Sequence, residues 1–171
     1  MHRPFLVLAA LDTALLLAAA LAGALGGGAA GRALHERLGL VAVIATPALH
    51  CLVYAYFLGT GRWIEQATGG SVTLSWAVDL AERNGRRVTP FLVVSTALLA
   101  AAAGLGLGAR SGAARGLLHL AMATIALAFT LGTFGLSYVA IANQTRLIDE
   151  IDARRPGSEA EPEPEPALRQ P

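Results

Sequence analysis

The chain has 171 residues, 54% of them hydrophobic and only 15% charged, and its mean hydropathy is +0.54; a soluble domain ordinarily carries roughly 25% charge. That balance excludes an ordinary soluble enzyme. A formal charge of +1 argues against a nucleic-acid partner, and a lone Cys51 excludes an internal disulfide or a cysteine-built zinc site.

Crossing about 30 Å of hydrocarbon takes roughly 20 apolar residues, and four stretches meet or approach that length: 5–27, 38–58, 90–107 and 117–142. Inside lipid every backbone polar group must be satisfied within its own segment, so these are helices. The expected fold is all-α, an integral membrane four-helix bundle. Span one carries Asp12, and Gly23 and Gly27, four apart, suit close helix contact. Ala22-Gly23-Ala24 also has the small-x-small form of a signal-peptide cleavage site. The apolar run exceeds the usual 7–15 residues of such peptides and contains Asp12, so the span is expected to be retained. Span two contains Pro47, which predicts a kink, then His50 and Tyr54. Span three opens on Pro90, suited to a first helical turn. It closes on Gly104-Leu105-Gly106-Leu107-Gly108-Ala109, which without a preceding strand reads as close packing and not as a dinucleotide loop. In span four Thr130, Thr133 and Ser137 form a polar stripe whose hydroxyls are expected to bond back to their own helix.

Between spans two and three, Thr68-Gly69-Gly70-Ser71 breaks the chain and 72–83 reads as an amphipathic helix. Leu74, Trp76, Ala77, Val78, Leu80 and Ala81 share one arc; Ser75, Asp79, Glu82 and Arg83 share the other. Asn84-Gly85 is expected to stop it. The helix is expected to lie in the cytoplasmic membrane interface, with Trp63 and Trp76 as interfacial anchors; a docking surface is the alternative. Beyond span four the helix is expected to run on and end before Pro156. The Glu/Pro-rich segment 157–171 is expected to be a disordered tail to a membrane domain of 1–156.

Arginine placement sets the orientation. Arg3, Arg62, Arg83, Arg86, Arg87, Arg146, Arg154, Arg155 and Arg169 fall on one side, against Arg32, Arg37, Arg110 and Arg115 on the other. The positive-inside rule puts both termini in the cytoplasm. All thirteen basic residues are arginine, a bias of GC-rich coding, and the expected location is a bacterial inner membrane.

Six polar groups within or beside the spans are candidates for chemistry. Asp12 and His50 each lie about 12 Å from the cytoplasmic end of their spans at 1.5 Å per residue. An ionisable group at mid-membrane costs about 2.5–3.5 kcal/mol and usually finds a partner. Spans one and two are expected to be antiparallel neighbours, so Asp12 and His50 are expected to pair, with Tyr54 on the same face as His50. At the outer end, His35 and His119 are expected to meet if spans two and four adjoin, and Glu36 would complete a metal site; two solvated histidines is the plainer expectation. His50 and His119 differ in depth by about 15 Å, too far to ligate one iron. Position 39 is glycine, so His35-Glu36 is not the start of H-E-x-x-H, and Asn143-Gln144-Thr145 lies on the cytoplasmic side, where a glycosylation sequon is unused.

His50 followed by Tyr56-Phe57-Leu58-Gly59-Thr60-Gly61-Arg62-Trp63-Ile64-Glu65, and Asn143 followed by Leu147-Ile148-Asp149-Glu150, resemble small uncharacterised bacterial membrane proteins with four spans. The resemblance implies a membrane location and no activity. The leading expectation is a non-catalytic accessory or interaction subunit, without cofactor, whose partners are the bilayer and a membrane protein or a second copy. Two alternatives stand beside it: a bundle binding haem b through His50, and a proton- or solute-coupled carrier oligomer using Asp12.

Overall fold

A computed structural model describes residues 2–69, 74–108 and 113–154. These form four helices: α1 (His2–Leu25), α2 (Gly28–Thr68), α3 (Ser75–Gly108) and α4 (Ala113–Arg154). Each contains a stretch long and apolar enough to span a membrane. α2, α3 and α4 outrun the expected spans because hydropathy marks only the part that lipid can cover. At about 1.5 Å per residue, α2 and α4, with 41 and 42 residues, are roughly twice as long as the hydrocarbon is thick.

The connection from α1 to α2 is only Gly26 and Gly27, and Gly28 turns the chain with φ of 79°, a conformation a side chain would strain. Gly69 ends α2 in the left-handed region (φ 54°), and its N–H donates to Gln66 O at 3.2 Å. Contacts along the helices run antiparallel between successive neighbours. Asp12 lies by Thr46 and Ala19 by His35; His50 lies by Thr96, Ser95 by Thr130, and Ala102 by His119. α2 and α4 are therefore parallel, and they meet across the bundle at His35–His119 and His50–Phe134.

The surface and interior are arranged for lipid. Leu11, Leu21, Leu40, Val41, Ile44, Leu52, Leu117 and Leu120 point outward, while Asp12, Thr46, His50, Ser95, Thr130, Thr133 and Ser137 are buried. A soluble bundle would invert that pattern. Three apolar clusters fill the rest. Phe5, Leu49, Val53, Phe57, Leu92 and Phe134 occupy one part, and Leu16, Ala42, Leu99, Ala102 and Ala126 another. The third, Ile64, Ala77, Ala81, Leu147 and Ile151, joins the ends of α2 and α4 to the start of α3. These extensions form a stem at the end of the bundle where α1 begins and α4 ends.

The stem corrects the expected amphipathic element. The segment is helical from Ser75, but it is the beginning of α3 and no separate helix; residues 72 and 73 lie outside the described residues. Asn84 and Gly85 do not stop it. The Asn84 side chain donates to Gln144 Oε1 at 3.0 Å, so its amide is occupied by α4 and does not compete for its own backbone. A Cβ added at Gly85 would stand 3.5 Å from Phe57, so the glycine lets α2 approach. Ala77 and Ala81 of the apolar arc pack inside the stem, whereas Trp76 stays partly exposed beneath the Arg154 guanidinium, 5.7 Å from its ring centre. Trp63 packs against the same cluster. Pro90 thus sits inside α3 and not in its first turn, and α2 continues as helix through Pro47. α4 reaches Arg154, where the described residues stop; the expected helix end before Pro156 and the tail at 157–171 lie outside them.

Candidate functional site

Two polar regions lie along the bundle. The first is a layer in its middle. Thr46 Oγ1 on α2 donates to Asp12 Oδ2 on α1 at 2.8 Å, and both residues are buried. One turn further along α2, His50 Nδ1 lies 3.1 Å from Thr96 Oγ1 on α3. Ser95 and Thr130 hydroxyls meet at 2.8 Å between α3 and α4. Asp12 Oδ1, His50 Nε2 and Ser137 Oγ are buried without a protein partner.

The expected Asp12–His50 pair is therefore not a direct one. Counting residues from the ends of the apolar stretches sets the two level, but the true register brings Asp12 opposite Thr46, four residues or about 6 Å before His50. A hydroxyl one turn away reaches the carboxylate first. Tyr54 is corrected too: it is 46% exposed, on the outside of the bundle. Tyr56 instead turns inward and meets Thr145 Oγ1 at 3.3 Å. Of the stripe on α4, Thr133 bonds back to Phe129 O as expected, whereas Thr130 bonds across to Ser95.

The second region is at the opposite end from the stem. His35 on α2 and His119 on α4 do meet: their ring centres are 5.9 Å apart and their planes 70° apart. His35 Nδ1 lies 2.8 Å from Ala19 O on α1, and His119 Nδ1 lies 2.8 Å from Ala102 O on α3. A carbonyl only accepts, so each Nδ1 carries the proton and donates. In the neutral ring that leaves the lone pair on Nε2, on the far side of the ring from the carbonyl. Metal-ligating histidines are held in this way, the second ring nitrogen donating to a carbonyl or carboxylate.

The rings are seated on glycines. A Cβ added at Gly23 would come within 2.8 Å of His35 Nδ1, and one at Gly106 within 2.9 Å of His119 Cε1. Only glycine lets the helix backbone lie this close to each ring. Gly27, the expected partner of Gly23 in helix contact, has nothing within 4 Å of an added Cβ, so the contact belongs to Gly23 alone. Glu36 does not join the histidines as expected. One residue turns a helix by about 100°, and Glu36 lines an open groove with Ala29, Arg32 and Ala33 on another face of α2. Among the described residues no group of three or more His, Cys, Asp or Glu is placed to hold a metal ion.

Both regions follow one repeated design. Residues 12–23 read DTALLLAAALAG and residues 95–106 read STALLAAAAGLG. Thr13, Ala14, Leu15, Leu16, Ala18, Ala19, Ala20 and Gly23 recur as Thr96, Ala97, Leu98, Leu99, Ala101, Ala102, Ala103 and Gly106. In the second helix of each hairpin Leu34, His35, Ala42, Thr46, Tyr54 and Arg62 recur as Leu118, His119, Ala126, Thr130, Tyr138 and Arg146. The contacts repeat with the residues. Asp12–Thr46 corresponds to Ser95–Thr130, and Ala19 O–His35 to Ala102 O–His119. α1–α2 and α3–α4 are thus parallel repeats about an axis along the bundle, an arrangement common in membrane proteins. His35 meets its own equivalent His119 on that axis, and His50 meets its own equivalent Phe134. Hydropathy and single-motif searches miss this; comparison of the chain with itself, offset by about half its length, finds it.

No protein-family model matches this chain, and no match is found among curated proteins or solved structures.

Proposed function

We propose that this chain is a multi-pass protein of a bacterial inner membrane, with both termini cytoplasmic, whose functional centre is a transition-metal site between His35 and His119. The observation that carries the reading is the facing pair of imidazoles, each fixed as the Nδ1–H tautomer by a backbone carbonyl of its own hairpin. With metal–nitrogen bonds of about 2 Å, two imidazoles on one ion have ring centres about 5.2 Å apart at a tetrahedral angle and about 6.3 Å apart in line. The observed 5.9 Å lies between. Imidazole nitrogen suits iron, copper, zinc and nickel.

The stem supports the topology, since three helices carry the arginine-rich segments together beyond one end of the bundle. The histidine pair then faces the periplasmic side. Elemental analysis of the purified full-length protein tests the reading. One transition-metal ion per chain, lost in both His35→Gln and His119→Gln and kept in His50→Gln, is the expected result. Metal absent in the parent, or unaffected by either substitution, overturns it.

A second reading, an accessory subunit that docks a partner on the stem, is favoured by a groove of about 270 Å³ between α3 and α4. Leu80, Asn84, Asn143, Arg146 and Glu150 line it, an apolar floor edged by amides and both signs of charge. Arg146→Glu is expected to weaken a complex formed there, measured as the native mass of the detergent-purified assembly.

A further inference from the structure

We infer that the carboxyl group of Asp12 is a proton-binding site at mid-membrane, distinct from the histidine pair.

The polar layer takes one position from each helix: Asp12, Thr46, Ser95 and Thr130, all buried. Apolar clusters close it on both sides. Ala9, Leu92 and Phe134 belong to the one toward the stem, and Leu16, Ala42 and Leu99 to the one toward the histidine pair. Asp12 stands ten residues into α1, about 15 Å from its start and so about half the thickness of the hydrocarbon. An ionisable side chain at that depth marks an ion or proton site unless a partner of opposite charge neutralises it.

No such partner is placed to do so. Arg3, Arg37 and Arg87 are the nearest arginines along α1, α2 and α3, nine, nine and eight residues from Asp12, Thr46 and Ser95. That is about 12–14 Å at the helical rise, and all three are exposed. On α4 no arginine stands within fourteen residues of Thr130. His50, one turn beyond Thr46, is the other buried ionisable side chain among the described residues. Its Nδ1 is engaged with Thr96 and its Nε2 has no partner, so a positive charge on the ring would itself be unmet.

The hydrogen bonding points the same way. An ionised carboxylate only accepts, and donors are what the layer lacks. Thr46 serves Asp12 Oδ2, and Ser95 and Thr130 serve each other. Ser137, whose hydroxyl is unpaired, lies seven residues beyond Thr130, about 10 Å along α4. Oδ1 is left without a donor. A protonated carboxyl gains a donor of its own, and helix carbonyls with a second lone pair are plentiful acceptors.

The repeat supplies an internal comparison. Ser95–Thr130, the equivalent of Asp12–Thr46, is a neutral pair with the same 2.8 Å separation. The carboxyl thus occupies a place whose counterpart is built for an uncharged group. A proton needs only the open lone pair of Oδ1. A metal cation needs a shell of oxygens about one point, and the hydroxyls here are bonded in two separate pairs. With apolar clusters on both sides, the proton exchanges only when the helices part.

Infrared spectroscopy of the full-length protein in phosphatidylcholine vesicles at neutral pH provides the test. The expected result is the carbonyl stretch of one protonated carboxylic acid, lost in Asp12→Asn. In Thr46→Val the same band is expected at higher frequency, because the carbonyl loses its hydrogen bond. Dicyclohexylcarbodiimide, an apolar reagent selective for protonated carboxyl groups, is expected to modify Asp12 and to leave the exposed Glu65 and Asp149 unmodified. Replacing potassium by sodium in the buffer is expected to change neither readout. A folded parent without the acid band holds an ionised carboxylate and overturns the inference, whether or not any variant folds. Loss of the band or of the modification on adding sodium assigns the site to a metal cation and overturns it equally. Where the reagent fails to enter the closed layer, the infrared band alone decides.

Discussion

His50 and Phe134 hold equivalent places in the two hairpins and touch across the bundle axis, their ring centres 5.8 Å apart and their planes at 64°. The contact is the counterpart, 15 residues further along both helices, of His35 with His119. One member has become apolar, so the bundle holds two facing imidazoles at one level and a single imidazole against a phenyl ring at the other. The same asymmetry appears one turn away, where Asp12–Thr46 corresponds to Ser95–Thr130. Two similar hairpins therefore enclose an interior in which Asp12, Ser95 and His50 each have a hydroxyl partner on a neighbouring helix.

That arrangement predicts additivity. Asp12 bonds to Thr46 and His50 to Thr96, on different helices, so Asp12→Asn and His50→Gln are expected to sum within about 0.5 kcal/mol in a double-mutant cycle. Thermal unfolding in detergent reads it. A coupling of 1 kcal/mol or more would mean that the two orphan atoms, Asp12 Oδ1 and His50 Nε2, are bridged.

Thr46→Val is expected to be the costlier change in the same layer. It keeps the shape and removes the one hydroxyl that, among the described residues, bonds to the Asp12 carboxylate. Leaving a buried polar group unpaired costs about 1–3 kcal/mol, more if it is charged. Thr130→Val, which leaves Ser95 without its partner, is expected to cost less because a serine hydroxyl can bond back to a carbonyl of its own helix. Equal losses in the two variants would contradict that argument.

Gly23→Ala and Gly106→Ala place a methyl within 2.8 and 2.9 Å of the His35 and His119 rings. Overpacking of this kind costs about 1–3 kcal/mol, and here it also displaces a ring. Gly27→Ala meets nothing within 4 Å and serves as the control. Loss of stability in the first two and not in the third is the expected pattern, measured as the midpoint of detergent-solubilised unfolding.

The stem depends on Gln144, which is fully buried where α2, α3 and α4 meet. Its Nε2 donates to Thr60 Oγ1 at 3.2 Å and its Oε1 accepts from Asn84 at 3.0 Å. Gln144→Leu removes both bonds and is expected to destabilise the stem by about 1–3 kcal/mol. Proteolysis is expected to cut within the stem helices in that variant while the rest of the bundle persists. Unchanged protease resistance would show that the apolar cluster alone holds the stem.

Reporter fusions after Arg32 and Arg110 are expected to read periplasmic, and fusions after Gly70 and Pro156 cytoplasmic. The opposite pattern would move the histidine pair to the cytoplasmic side and detach the arginine bias from the topology.

Four apolar stretches with so little charge admit only helices able to cross a bilayer, because lipid offers backbone groups no other partner. The sequence alone therefore determined the all-helical class and the count of four helices long and apolar enough to cross a membrane. It also held the repeat, in the recurrence of Thr13–Gly23 as Thr96–Gly106, for anyone comparing the two halves. Where helices begin was not legible: Asn84 and Gly85 carry every local sign of a helix end, and α3 passes through them because Gln144 and Phe57 on other helices meet their needs. The register between helices was equally out of reach. Residues counted from hydropathy edges set Asp12 level with His50, but an edge is uncertain by a turn, and a turn decides which hydroxyl arrives first. Only the packed bundle put Thr46 beside Asp12 and Thr96 beside His50. Only it brought His35 and His119, 84 residues apart in the chain, onto one axis with their Nδ1 protons committed to carbonyls. Side-chain chemistry is local and can be read from a sequence; which lone pairs remain available depends on neighbours that tertiary packing alone supplies.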